Sequence, residues 1–206
     1  MWYSAAVRGG NLVNGFYTVA KEGSFKLNVK RSLFYSHIFE VSNNESIREK
    51  IKYYKQKYID ATHVCWAYRL YETDVIEFSS DGGEPSGTAG LPILNTLKKN
   101  NMMNTCCVVA RYFGGVKLGV RGLIDAYSEA AYQALKDAGT VALVLMYEHI
   151  FRCDYAKVSD LIRSIQSLSG RVKNIEYSDD VVVSAIIPQR LDYPDIVSVI
   201  KKLVKI

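Results

Sequence analysis

The chain has 206 residues, of which 49% are hydrophobic and 23% are charged. These values are ordinary for a globular protein, and the length suits one large domain or two small ones. The formal net charge of +5 is too small for a strongly basic nucleic-acid-binding module, although local patches remain possible. No apolar run approaches the roughly 20 residues of a membrane helix, and the N-terminus lacks the pattern of a secretory signal.

The four cysteines all lie in apolar, strand-like segments, and no Cys or His spacing typical of a metal site occurs; they are Cys65, Cys106, Cys107 and Cys153. This pattern predicts reduced thiols in the core of a cytoplasmic protein. We therefore expect no disulfide and no metal site. No cofactor and no membrane association are expected either.

In chain order, extended runs are predicted first over residues 16–20, 25–29 and 31–41. A helix from Glu45 to Tyr58 follows, and its basic face is predicted to be solvated because acidic residues lie among its cations. Further strands are predicted over residues 62–71 and 75–79. His63, in the first of these strands, is interpreted as a hydrogen-bonded structural residue, although its chemistry also suits a base or a ligand.

A first glycine-rich loop runs from Asp81 to Gly90 and leads into a predicted helix over residues 91–100. Asp81 and Glu84 have the chemistry to bind a metal or share a proton, but capping of the loop amides is the commoner use of Asp in turns. Ser86 and Thr88 are possible nucleophiles without a visible partnered base, so capping is favoured for them too.

The stretch from Thr105 to Gly139 organises the chain as a buried strand, a glycine-rich turn and a long amphipathic helix. The turn carries Lys117 and Arg121 beside a helix N-terminus, where free N–H groups and the helix dipole favour phosphate. The glycine spacing, GG-x3-G-x2-G, matches neither the dinucleotide fingerprint nor the P-loop. On spacing alone, a tight turn with solvated cations is the favoured interpretation.

The last part of the chain predicts a second compact unit packed on the first. A strand is predicted over residues 147–153, a helix over 155–168, a hairpin with strands at 171–177 and 181–187, and a final helix over 193–204. This β-α-β-β-α order is typical of a ferredoxin-like domain. The sequence therefore predicts an α+β protein with domains at residues 1–143 and 144–206.

Four segments together resemble the IMPACT/YigZ family: ATHVCWAYR (Ala61–Arg69), DGGEPSGTAG (Asp81–Gly90), RYFGGVKLG (Arg111–Gly119) and GLIDAYS (Gly122–Ser128). The resemblance implies an N-terminal domain similar to the second domain of ribosomal protein S5. It also implies a C-terminal ferredoxin-like domain similar to the last domain of elongation factor G. Eukaryotic relatives regulate translation, and bacterial members have been proposed to bind nucleic acid or translation components, with no reaction securely attached.

The sequence departs from the family pattern in three places. Val64 stands where a second polar residue is common, and Gly82 replaces the second Asp of an Asp-Asp-Gly-Glu-Pro run. These two changes weaken a metal or acid–base interpretation. Arg121 takes a usual glycine position, and its spacing to Asp125 predicts an ion pair at i, i+4.

The leading hypothesis is a non-enzymatic, cytoplasmic protein that regulates translation by binding RNA, the ribosome or a translation factor. The rivals are an enzyme acting on a phosphorylated small molecule or RNA, and a protein-interaction adaptor. The two glycine loops are predicted to lie on the same side of the N-terminal domain. The candidate residues of this cradle are His63, Asp81, Glu84, Ser86, Gly87, Thr88, Arg111, Gly114, Gly115, Lys117 and Arg121. The oligomeric state stays open.

Overall fold

A computed structural model describes residues 15–205. Residues 1–14, which include most of the segment where no secretory signal is expected, and residue 206 lie outside this range. The strands are β1 (Phe16–Val19), β2 (Gly23–Val29), β3 (Ser32–Glu40), β4 (His63–Tyr71), β5 (Val75–Ser80), β6 (Thr105–Tyr112), β7 (Thr140–Cys153), β8 (Arg171–Tyr177), β9 (Val181–Ile187) and β10 (Ile196–Lys205). The α-helices are α1 (Asn44–Lys57), α2 (Gly90–Lys99), α3 (Gly119–Ala138) and α4 (Val158–Ser167).

The N-terminal sheet lies between two helical layers. Its strand order is β2-β3-β6-β4-β5, with every neighbouring pair antiparallel. Successive side chains of a strand point to opposite faces. On β4, Cys65 and Ala67 therefore join the core beneath α2 and α3, whereas Trp66 and Tyr68 face α1.

Helices α1 and α3 form where their apolar periodicity predicts them. Helix α1 begins with a reciprocal capping box between Asn43 and Ser46, and its buried side is Ile47, Ile51 and Tyr54. Helix α3 buries the whole predicted face: Leu123, Ala126, Tyr127, Ala130, Ala131, Ala134, Leu135 and Ala138. The small alanines let α3 lie close to β2 and β3, and Gly139 ends the helix with a φ of +63°.

The C-terminal sheet contains a split β-α-β arrangement, in which β9 lies between β7 and β8 and all pairs are antiparallel. Helix α4 packs on one face through Val158 and Ile165. Strand β1 pairs with residues 140–143 of β7, so the N-terminal segment contributes a strand to this sheet. The predicted domain boundary after residue 143 falls within β7, and the division into two domains stays a prediction.

The predicted α+β class is confirmed, but the predicted final helix over residues 193–204 is wrong. Strand β10 occupies this segment and pairs antiparallel with β7 from Phe151 to Leu143. Without β10, that edge of β7 would expose a long row of unpaired N–H and C=O groups. The β-branched residues of the segment suit a strand, so the tertiary pairing overrides the helical spacing of its apolar residues.

All four cysteines are buried and form no disulfide. Between residues 15 and 205, no helix combines the length and apolar character that crossing a membrane requires. The same described range holds no group of three or more His, Cys, Asp or Glu side chains placed to bind a metal ion.

Glu148 of β7 is a buried carboxylate on the C-terminal sheet. It accepts hydrogen bonds from Lys173 Nζ at 2.7 Å and Ser184 Oγ at 3.2 Å, and it also pairs with Lys202. Burial alone would raise the pKa of Glu148, but the hydrogen bonds and charges of the two lysines outweigh burial and lower the pKa from 4.5 to about 2. Side chains from β8, β9 and β10 therefore meet at one carboxylate on β7.

We expect Glu148→Gln to remove an acid-sensitive contribution to stability. A carboxyl with a lower pKa in the folded state stabilises the fold above its unfolded pKa and loses this effect as the pH falls through the folded value. The contribution is about 3 kcal/mol at neutral pH. Urea titrations from about pH 7 to pH 2 should show the parent losing its advantage over the variant. The exposed Glu176→Gln is the control, and equal pH dependence of parent and Glu148→Gln would contradict this account.

Candidate functional site

Asp81 organises the first glycine loop by capping its backbone amides. Its carboxylate accepts hydrogen bonds from the N–H groups of Gly87 at 2.9 Å, Ala89 at 3.0 Å and Gly90 at 2.8 Å, where α2 begins. Burial would raise the pKa of Asp81, but these three donors outweigh burial and lower it. The predicted capping role is confirmed, and the carboxylate is committed to the loop.

Glu84 and Arg111 form a buried ion pair between the first loop and β6. Arg111 Nη1 donates to Glu84 Oε1 at 2.6 Å, and the two side chains are only 6% and 2% exposed. The hydroxyl of Tyr127 on α3 donates to the same carboxylate oxygen at 2.8 Å. A loop, a strand and a helix therefore meet at one buried carboxylate.

The guanidinium of Arg111 is enclosed on its other sides. Its Nη2 donates to Ser32 Oγ at 3.3 Å, and its Cζ lies 5.5 Å from the ring centre of Phe34 and 5.6 Å from that of Phe113. Such cation–π contacts help to stabilise a desolvated cation. Arg111 Nε is buried and finds no hydrogen-bond partner within residues 15–205.

Cys65 of β4 completes this network. Cys65 Sγ lies 2.9 Å from the carbonyl oxygen of Asp81 and 3.3 Å from the Tyr127 hydroxyl. Burial raises the pKa of Cys65 to about 12, so the residue remains a thiol at neutral pH and is a poor nucleophile.

His63 has the structural role predicted for it. Its Nδ1 lies 3.1 Å from the Gly82 carbonyl oxygen, and because that oxygen only accepts, Nδ1 carries the proton. Its Nε2 is 3.8 Å from Glu84 Oε2, beyond hydrogen-bond distance.

The remaining residues of the first loop divide between its interior and its surface. Thr88 is buried, and its hydroxyl donates to the Pro85 carbonyl at 2.6 Å. This bond closes the turn, but it satisfies a carbonyl, whereas the capping interpretation predicts a bond to an amide. Ser86 is exposed. Gly87 has a φ of +76°, and the space that a Cβ would occupy there is open. The loop therefore presents backbone rather than a charged side chain to a ligand.

The second glycine loop packs against the turn between β2 and β3. A Cβ on Gly114 would lie 2.1 Å from the carbonyl carbon and oxygen of Arg31, so only glycine fits there. The next residue, Gly115, has a φ of +83° and faces open space. The close packing at Gly114 fixes the turn and leaves its tip free.

Three exposed cations surround this second loop. Lys117 and Arg31 are exposed, and the Arg121 side chain is 86% exposed. Arg121 Nε donates to Asp125 at 3.0 Å, which confirms the predicted i, i+4 ion pair. The contact between Glu84 and Arg111 places both glycine loops on the same side of the N-terminal sheet, as predicted.

Sequence reasoning missed four residues of this site: Ser32, Cys65, Tyr127 and Arg31. The first three complete the buried network, and the last joins the exposed cations. Tyr127 carried a usable signal, because a tyrosine on an alanine-rich buried face needs a partner for its hydroxyl. The other three depend on the pairing of β3 and β4 with β6, which no local pattern reports.

We expect Glu84→Gln to lower the free energy of unfolding by about 3–5 kcal/mol, because it leaves the Arg111 charge buried without its counter-ion. The matched control is Asp125→Asn, which breaks an exposed ion pair and should cost less than about 1 kcal/mol. Urea titration of both variants at neutral pH measures the difference. Equal losses in the two variants would show that the buried pair has no special role.

Known proteins are similar to this chain in sequence and in fold. Residues 30–135 match the family model of the Impact N-terminal domain. The IMPACT family member YvyE of Bacillus subtilis (strain 168) is 37% identical over 170 residues, which cover 82% of this chain and 78% of YvyE. The IMPACT family member YigZ of Escherichia coli (strain K12) is 29% identical over 163 residues, covering 78% and 79%. A crystal structure of a hypothetical protein superposes with a TM-score of 0.67 at 26% identity, covering 84% of this chain and 85% of that one. The chain belongs to the IMPACT family.

Proposed function

We propose that this IMPACT-family protein regulates translation by binding RNA at the edge formed by the two glycine loops. The observation that carries the proposal is the distribution of charge at that edge. The Asp81 carboxylate accepts three backbone hydrogen bonds from its own loop, and the Glu84 carboxylate is buried and paired with Arg111. The cations of the second loop remain at the surface, where a phosphate backbone can reach them.

The same distribution argues against the enzyme alternative. General acid–base catalysis needs a titratable group within hydrogen-bond reach of a substrate. Asp81 accepts three amide hydrogen bonds, Glu84 is 2% exposed and paired, and Cys65 is held as a thiol. These groups stabilise the loops, so the edge is better suited to binding than to a reaction.

Backbone geometry adds to the cationic side chains. Gly87 and Gly115 each leave open space above the main chain, one in each loop. Lys117 lies between Gly115 and the start of α3, where the helix dipole favours negative charge. Backbone N–H groups and point charges together suit the repeated phosphates of RNA without selecting a base sequence.

We expect Lys117→Ala to weaken RNA binding for all sequences and to lower the slope of log affinity against log salt concentration by roughly 0.7 to 0.9. The physical reason is counterion release, to which each phosphate contact contributes. Arg121→Ala should have a smaller effect, because Asp125 already pairs with that guanidinium. Fluorescence titrations of a labelled RNA from low to physiological salt measure both slopes.

The matched control is Lys99→Ala, an exposed lysine at the far end of α2 from the loops. It should leave the salt slope unchanged, and all three variants should keep the stability of the parent. Absence of RNA affinity in the parent even at low salt would overturn the proposal in favour of a protein partner. A Lys117→Ala slope equal to that of Lys99→Ala would show that the loop edge is not the contact surface.

A further inference from the structure

Helix α1 leaves part of the outer face of the N-terminal sheet open, and a groove lies there between α1 and strands β4 and β5. The groove has a volume of about 580 Å³. Its floor is made by Trp66 and Tyr68 of β4 and Phe78 of β5. Phe78 is 54% exposed, so the aromatic floor is accessible from solvent.

The three rings of the floor form a nearly parallel set. The centroid of Trp66 lies 6.1 Å from that of Tyr68 and 5.5 Å from that of Phe78, with interplanar angles of 5° and 21°. Tyr68 and Phe78 are 6.3 Å apart at 18°. The rings therefore form a continuous apolar platform rather than three separate side chains.

The wall of the groove that belongs to α1 carries three cations among apolar and uncharged polar side chains. Arg48, Lys52 and Lys55 line it, and their i, i+4, i+7 spacing places them on one side of the helix. The residues that line the groove, all within the described part of the chain, include no carboxylate. Glu72 stands near one end, where it accepts a hydrogen bond from Asn44 at 3.4 Å. The three cations therefore suit an anionic ligand on this side of the groove.

We propose that this groove binds unpaired bases of single-stranded RNA. Bases stack on the exposed part of the aromatic platform, and the sugar–phosphate backbone follows the cations of α1. Aromatic platforms beside a cationic track are how proteins hold single strands without reading their sequence. The inference takes its ligand class from the proposed function, but it concerns a separate surface on the opposite face of the sheet.

The charge of the wall favours RNA over an apolar segment of another protein. An apolar helix laid in the groove would desolvate three cations without supplying counter-charges. A nucleic-acid strand supplies a phosphate for each cation and a π-face for the platform. Phe78 also lies two residues before Ser80, where β5 ends and the chain enters the first glycine loop.

The first test is Phe78→Ala with a labelled, unstructured single-stranded RNA of about 12 nucleotides, within the usual site sizes. Loss of one stacked base should weaken binding by about five- to 150-fold, the range measured for base–aromatic stacking. A duplex RNA of the same length should bind the variant and the parent alike, because its bases are not free to stack. Trp66→Phe keeps a ring face and should retain most of the affinity.

The matched control for Phe78→Ala is Tyr132→Ala on α3. Tyr132 is 41% exposed and has Lys136 Nζ 5.6 Å from its ring centre, so it reproduces an aromatic and a lysine elsewhere on the surface. It should leave RNA affinity unchanged.

The double variant Lys52→Ala/Lys55→Ala tests the cationic wall without changing the aromatic platform. It should lower the slope of log affinity against log salt concentration by about 1.4, because two phosphate contacts are lost.

The outcomes separate this inference from the proposed function. If the parent binds single-stranded RNA but Phe78→Ala and the double lysine variant each change affinity by less than twofold, the groove is not a binding site and the loop-edge proposal stands. Equal weakening of single-stranded and duplex RNA by Phe78→Ala would exclude stacking. If the parent binds no RNA at low salt, both proposals fall.

Discussion

The buried ion pair between Glu84 and Arg111 is the interaction on which the N-terminal sheet and its loops depend. Taking both charges out of water is costly, so the pair persists only because further groups satisfy it. Tyr127 donates to the carboxylate, Ser32 accepts from the guanidinium, and the rings of Phe34 and Phe113 flank it. The pair thereby joins the first glycine loop, strand β6 and helix α3 at a single point.

The pairing of the loop carboxylates with amides and with Arg111 determines which charges remain at the surface. Because Asp81 and Glu84 stabilise the loops from within, the exposed edge is left with Arg31, Lys117 and Arg121. The alternation of side chains along β4 produces a second surface from the same strand. Its inward residues complete the buried network, and its outward aromatics form the floor of the groove beneath α1. One strand therefore supports both of the surfaces that we propose to bind RNA.

Local patterns in the sequence predicted the elements whose partners are close in the chain. Helices α1 and α3 follow their apolar stripes, and Asp81 caps amides at most nine positions away. The sequence did not predict strand β10, because this segment forms a strand only by pairing with the free edge of β7. Glu84 meets Arg111 and Tyr127 across 27 and 43 positions, so their contact requires the strand register. Most of the cations of the basic face of α1 are exposed, as the acidic residues among them predicted. Nothing local in the sequence shows that this face borders an aromatic platform.

Hydrogen exchange of the loop amides in Arg111→Met tests most directly whether the buried pair holds the first loop in place. The substitution removes the guanidinium but leaves Asp81 and the amides of Gly87, Ala89 and Gly90 untouched. Loss of the anchor at Glu84 should make these three amides exchange faster, and by a larger factor than the amides of α1 in the same protein. Unchanged exchange of the loop amides, or an increase no greater than that of α1, would contradict the central role of the ion pair.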